Sequence, residues 1–244
     1  MPITQTFVII LPLIFHSYIP GPMLDLGKGV GNPNNNHECT HPALNVDWWY
    51  NWATSDIEQC GGNFVPMVWS TEVGQRLLDG TMTIDDSLYV LYLNEPSLVE
   101  QANDTPQEAA AMLPLLQAKY PGRRWIVGNV WSIEWLDQFM IECADCDIYG
   151  IGVHYYSWYC PVEYLTYKID AVAVYGKPVF VTEFACLSAN TEYQIEHVGD
   201  WLDVMEERTQ GYAPYSTRNP DGFPEIFNAT NLVGTELGEW YASQ

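Results

Sequence analysis

Leu91-Tyr-Leu-Asn94-Glu95-Pro96 and Val179-Phe-Val-Thr182-Glu183-Phe184 follow one plan, an apolar run that ends on a polar residue and then a glutamate. Each run should be buried, so ionising the glutamate at its end is costly unless the carboxylate faces an open mouth or a partner. Surface acids placed at random would not choose both positions. The two glutamates are 88 residues apart, close to three units of an eight-unit βα barrel at roughly 31 residues per unit.

Outward from these two segments, short β-rich runs recur with helical punctuation between them, the pattern of βα units around a parallel sheet. Strands are predicted near 28–31, 46–51, 64–69, 89–94, 125–130, 148–154, 179–183 and 211–215. Thr105-Pro-Gln-Glu108 offers an N-cap, a proline at the first helical position and a capping-box glutamate before an Ala-rich run. Pro114 should kink or interrupt that helix. Residues 191–209 place Ile195, Val198, Trp201, Leu202 and Met205 on one face of an amphipathic helix. Asn32 to Asn36 reads as a polar loop, and residues 217–234 as a long turn-rich segment. No repeat of 20 to 50 residues interrupts the pattern. Eight strands and 244 residues, 48% of them hydrophobic, predict the α/β class and one domain, a single (β/α)8 TIM barrel.

The 9 Lys and Arg against 31 Asp and Glu give a net charge of −22, a surface that repels phosphate backbones and anionic lipid and so excludes nucleic acid and membrane as partners. An aromatic share of 14% excludes a disordered acidic tail. The apolar run Phe7 to Phe15 is too short to span a bilayer but suits the core of a secretory signal. Residues 1–20 are therefore expected to be a signal peptide, and 21–244 the barrel of a secreted, monomeric protein. Asn103-Asp-Thr105 and Asn228-Ala-Thr230 are glycosylation sequons. Six cysteines suit an oxidising compartment. Cys143-Ala-Asp-Cys146 lacks the second CxxC of a zinc site and the Gly-Pro of a redox motif, and no metal or cofactor is expected. Cys39 with Cys60, Cys143 with Cys146 and Cys160 with Cys186 are the pairings that best suit the barrel.

Functional residues of a parallel barrel gather where strands end at its C-terminal face, where Glu95 and Glu183 both fall. Two carboxylates across such a mouth are the equipment of glycoside hydrolysis, one protonating the leaving oxygen while the other supports the oxocarbenium-like centre. Asn94 is placed to hydrogen-bond a sugar hydroxyl. Aromatic residues crowd the other strand ends, among them Trp48, Trp49, Trp52, Trp69, Trp131, Tyr155, Tyr156 and Trp158, and flat sugar faces stack on such rings. Alternation along residues 46–52 puts successive side chains on opposite faces, so the three tryptophans there cannot all reach a ligand.

The ordered motifs WWYNWA (48–53), FVPMVWS (64–70), LNEPS (93–97), IGVHYY (151–156) and PVFVTEFA (178–185) resemble glycoside hydrolase family 128, the fungal-type β-1,3-glucanases of the retaining (β/α)8 clan. The resemblance implies that Glu95 is the acid/base and Glu183 the nucleophile, with their carboxyls about 5 to 5.5 Å apart. The substrate-binding candidates are Asn51, Trp52, Trp69, Asn94, Trp131, His154, Tyr156 and Trp158, of which the resemblance favours His154, and it implies β-1,3-glucan or its oligosaccharides as partner. The alternatives are a catalytically silent glucan-binding barrel and a clan relative that cuts another β-glycan. Gly211-Tyr-Ala-Pro-Tyr215-Ser216 departs from the Trp-Phe that the family often carries after its last strand, with Tyr215 as the substitute, and Trp131 is foreign to the pattern.

Overall fold

A computed structural model describes residues 26–32, 39–216 and 231–244. Eight strands, β1 (Gly27–Gly31), β2 (Trp48–Tyr50), β3 (Met67–Val68), β4 (Tyr89–Tyr92), β5 (Arg124–Val130), β6 (Gly150–Ser157), β7 (Val179–Cys186) and β8 (Gly211–Pro214), form one parallel sheet in the order β2-β1-β8-β7-β6-β5-β4-β3. The sheet curls into a nearly closed barrel, with its seam between β2 and β3. There the ladder gives way to a single bridge between Trp49 and Phe64, and the Met67 N–H donates to the Ala53 carbonyl at 2.8 Å. The expected (β/α)8 class is observed, with strands near all eight predicted positions.

Alternation along the strands makes two cores. Trp48, Tyr50, Met67, Tyr89, Leu91, Ile126 and Phe180 fill the barrel interior. Val90, Tyr92, Val127, Val153 and Val181 face outward against the helices. Those helices are α1 (Thr71–Leu78), α2 (Pro106–Lys119), α3 (Ile133–Glu142), α4 (Val162–Ala173), α5 (Thr191–Arg208) and α6 (Glu236–Ser243). No helix lies between β2 and β3. Their connection, residues 51–66, is irregular throughout.

α2 begins on the expected capping box, with the Thr105 hydroxyl accepting from the Glu108 N–H and the Glu108 carboxylate accepting from the Thr105 N–H. Of the kink or interruption expected at Pro114, the interruption does not occur, and the helix runs through it. Pro114 stands on the exposed face, where water can take up the carbonyl that the missing N–H leaves free. α5 buries Val198, Trp201, Leu202 and Met205 as its periodicity required. α6 is tied to the first strand: the Tyr241 hydroxyl donates to the Gly29 carbonyl, and the Lys28 ammonium donates to the Tyr241 carbonyl, both at 3.0 Å.

All three expected disulfides are formed, Cys39–Cys60, Cys143–Cys146 and Cys160–Cys186. They are compatible with an extracellular location. Among the described residues no helix is long and apolar enough to cross a membrane. The expected signal segment 1–20, the Asn228 sequon, most of the Asn32–Asn36 loop and residues 217–230 of the turn-rich segment lie outside the described residues.

Candidate active site

Glu183 lies within β7, and a register shift decides what it faces. Val153 of β6 pairs with Val181, but the next residue, His154, pairs with Glu183, so that Thr182 is skipped. Two side-chain donors converge on the Glu183 carboxylate. The Trp52 indole N–H donates to Oε1 at 2.7 Å and the Tyr156 hydroxyl to Oε2 at 2.5 Å, while the Tyr50 hydroxyl gives its proton to the Thr182 carbonyl at 2.8 Å and lies 3.3 Å from Oε1. Burial pushes the Glu183 carboxyl above its ordinary value and the nearby Glu95 charge adds to the rise, while His154 and the Tyr156 and Trp52 donors pull it back. Burial and the Glu183 charge hold the Tyr50 and Tyr156 phenols well above their ordinary range, so both stay protonated as donors.

Glu95 stands three residues past β4. Its N–H donates to the Asn129 carbonyl at 3.1 Å, and its Oε1 lies 3.0 Å from His154 Nδ1. The same Nδ1 is 3.4 Å from Glu183 Oε2, so one imidazole sits between the two acids. Glu95, His154 and Glu183 each place a polar atom within 4.8 Å of the others. His154 is wholly buried and its Nε2 has no partner among the described residues. Two carboxylates and one imidazole could in principle hold a cation. The donors already on Glu183 instead provide for an ionised carboxylate without one.

Backbone strain collects here. Trp52, Leu93, Glu95 and Asn129 have φ of 58°, 69°, 44° and 47°, a region that costs a non-glycine residue about 1–3 kcal/mol and that tends to mark functional sites. Asn129 occupies a bulge where the β5–β6 register slips. Its amide nitrogen donates to the Leu93 carbonyl at 2.9 Å and its Oδ1 accepts the Thr182 hydroxyl at 2.8 Å. One side chain thereby ties the Glu95 segment to the Glu183 strand. Gly152 makes room for it, since a Cβ there would lie 2.2 Å from Asn129 Oδ1.

The predicted binding residues divide. Trp52, His154 and Tyr156 touch the acids directly. Asn94 is buried beside Glu95, its amide nitrogen donating to Gln101 at 3.1 Å while its Oδ1 has no partner among the described residues. Trp131, 43% exposed, meets Tyr156 at a ring-centroid distance of 6.4 Å. Tyr215 joins the cluster, 5.4 Å from the Trp52 ring and 6.0 Å from Tyr156. Trp69 is half-buried against the interior core. Trp158 stands exposed on the loop after β6 without contact to the acids. Asn51 turns away: its amide donates to the Ser55 carbonyl and its Oδ1 accepts the Ala53 N–H, so it shapes its own loop.

Sequence reasoning passed over Tyr50, Asn129, Thr182 and Lys168. Alternation could have found Tyr50, since residues 48, 50 and 52 share the inward face. Lys168 on α4 donates to the His154 carbonyl at 2.6 Å and lies 4.2 Å from the centre of the Trp131 ring. Burial draws its ammonium down to about 8.

Residues 27–241 match the family described as glycosyl hydrolase catalytic core. The chain belongs to this family. Among solved members of similar fold, a family-128 (subgroup II) endo-β-1,3-glucanase from Sorangium cellulosum has a TM-score of 0.69 and 26% identity over 89% of this chain and 98% of its own. A subgroup I endo-β-1,3-glucanase from Amycolatopsis mediterranei, in complex with laminarihexaose, has a TM-score of 0.74 at 22% identity, covering 90% of this chain and 99% of its own. Alkali-sensitive linkage protein 1 of Schizosaccharomyces pombe is 29% identical over 149 residues, 58% of this chain and 27% of the relative. The chain thus spans about a quarter of that curated relative's length. The family-128 resemblance carried by the five motifs agrees with these findings.

Proposed function

We propose that this glycosyl hydrolase catalytic core is a secreted endo-β-1,3-glucanase that acts with retention, Glu183 as nucleophile and Glu95 as acid/base. The observation that carries the mechanism is the spacing of the acids, with carboxylate oxygens of Glu95 and Glu183 within 4.8 Å on either side of His154. Inverting pairs stand about 6.5–9.5 Å apart to hold a water between them, whereas retaining pairs stand about 5–5.5 Å apart. The linkage rests on the solved relatives.

The division of roles follows from the hydrogen bonds. Glu183 receives one side-chain donor on each oxygen, Trp52 on Oε1 and Tyr156 on Oε2, which fixes its position and favours the charged form. Glu95 has one side-chain partner, His154, on Oε1, which leaves Oε2 for proton exchange with substrate. Glu183 attacks the anomeric carbon as the Glu95 carboxyl gives its proton to the departing glycosidic oxygen, and a glycosyl ester forms. Glu95, now a carboxylate, takes a proton from water, whose oxygen displaces Glu183 and restores both groups. Asn94 Oδ1, buried beside Glu95, suits a sugar hydroxyl, and the rings of Trp131 and Tyr215 suit sugar faces.

The test is NMR of the product released from laminarihexaose by the purified protein, before mutarotation. The β-anomer first, with internal cleavage, is expected. The α-anomer first would overturn retention, and binding without reducing-end release would leave a glucan-binding barrel.

A further inference from the structure

The missing helix between β2 and β3 leaves a cleft of about 490 Å³ in the barrel wall, bounded by the 51–66 connection on one side and α1 on the other. That volume falls within the range of about 300–1,000 Å³ typical of small-ligand sites. Trp52 and Trp69 stand on its lining, and the Trp52 N–H is the one that reaches Glu183. Trp52 thus stands between the cleft and the Glu183 carboxylate. Thr54 is buried in its wall, while Arg76 and Thr83 stand exposed along its rim with the apolar Ile57, adding a guanidinium and a hydroxyl. The Arg76 guanidinium and the Trp69 indole N–H make no hydrogen bond or ion pair among the described residues.

The charge distribution narrows the ligand. The chain has 31 acidic residues and none lines this cleft, whereas one of its 9 basic residues does. A carboxylate-free wall with free N–H donors and two indole rings suits a neutral polyol. An anionic ligand would have to approach a molecule of net charge −22 for the sake of one exposed arginine.

We propose that this wall cleft is a second arm of the substrate site, binding the stretch of glucan chain that continues past the sugar held between Glu95 and Glu183, with Arg76 and Thr83 as its specificity-determining residues. The proposal rests on the glucanase reading above. In it, Trp52 serves both sites, one edge on the nucleophile and its ring at the neck of the arm.

Thr83→Trp, which fills the cleft from its exposed rim, and Arg76→Ala, which removes the fork of donors, test it through kcat/KM on laminarihexaose and laminaritriose. Each variant should lower the hexaose-to-triose ratio about ten-fold, the scale of one lost charge-assisted contact. An unchanged ratio in both variants, or equal losses on both substrates, would overturn the arm. Should the wild type cleave neither oligosaccharide, calorimetry on Glu183→Gln decides separately. Tighter binding of laminarihexaose without Thr83→Trp than with it upholds the cleft while the hydrolytic reading falls, and equal or absent binding overturns the cleft as well.

Discussion

Glu183 holds a charge in the most buried part of the site, and both its reactivity and its cost follow from that. Its folded-state pKa is raised, chiefly by burial. The protonated form therefore contributes stability that is present below the ordinary carboxylate value of 4.5 and is lost as pH rises through the folded value. Glu183→Gln keeps the shape without the charge. It should abolish turnover and yet melt above the wild type at neutral pH, the gap closing in acid; a lower Tm at every pH would refute this account. Trp52 acts in the opposite sense, since its N–H favours the carboxylate. Trp52→Phe should cost roughly 10- to 100-fold in kcat, the worth of a charge-assisted hydrogen bond, and move the acid limb of the rate profile to higher pH. An acid limb that stays in place would mean that Trp52 does not set the ionisation of Glu183.

At the scale of elements, β5, β6 and β7 build the site by slipping register against one another. The slip at Asn129 aims its amide inward, and the slip at Thr182 sets Glu183 opposite His154. Neither shift is legible in the run Trp125 to Val130 or Val179 to Glu183, because a bulge depends on the neighbouring strand as much as on its own residues. Gly152 is the hinge of the arrangement. Gly152→Ala would press Asn129 away from Leu93 and Thr182, and we expect a loss of about 1–3 kcal/mol of stability together with most of the activity. Thermal melts and initial rates on laminarihexaose measure both, and wild-type rates would show that Asn129 is not what aligns the two acids. Pro114 taught the complementary lesson on α2. Its helix-breaking tendency was legible, but its exposed place on the helix decided the outcome.

Across the whole molecule, the β2–β3 seam joins stability to pH. His41 stacks on Trp49 beside the seam, with ring centroids 4.3 Å apart, and burial draws its imidazole from 6.5 down to about 4. The unfolded chain binds that proton more readily than the folded one. The stability contributed by neutral His41 is thus complete above pH 6.5 and falls as pH drops towards 4. His41→Phe, which keeps a ring against Trp49, should flatten the Tm profile across that window, and a wild-type slope in the variant would place the acid sensitivity elsewhere. The sequence by itself determined the barrel class, strand positions good to a few residues and the two strand-end glutamates, because apolar runs, caps and strand-end acids are local signals. Only the tertiary structure decided that Tyr50 reaches Glu183, that Asn51 turns to its own loop, that Asn129 and Lys168 brace the site, and that a missing helix opens the wall. Those outcomes depend on strand register, where a slip of one residue turns a side chain to the other face, and on which elements meet across the barrel, and neither is written in any one segment of the chain.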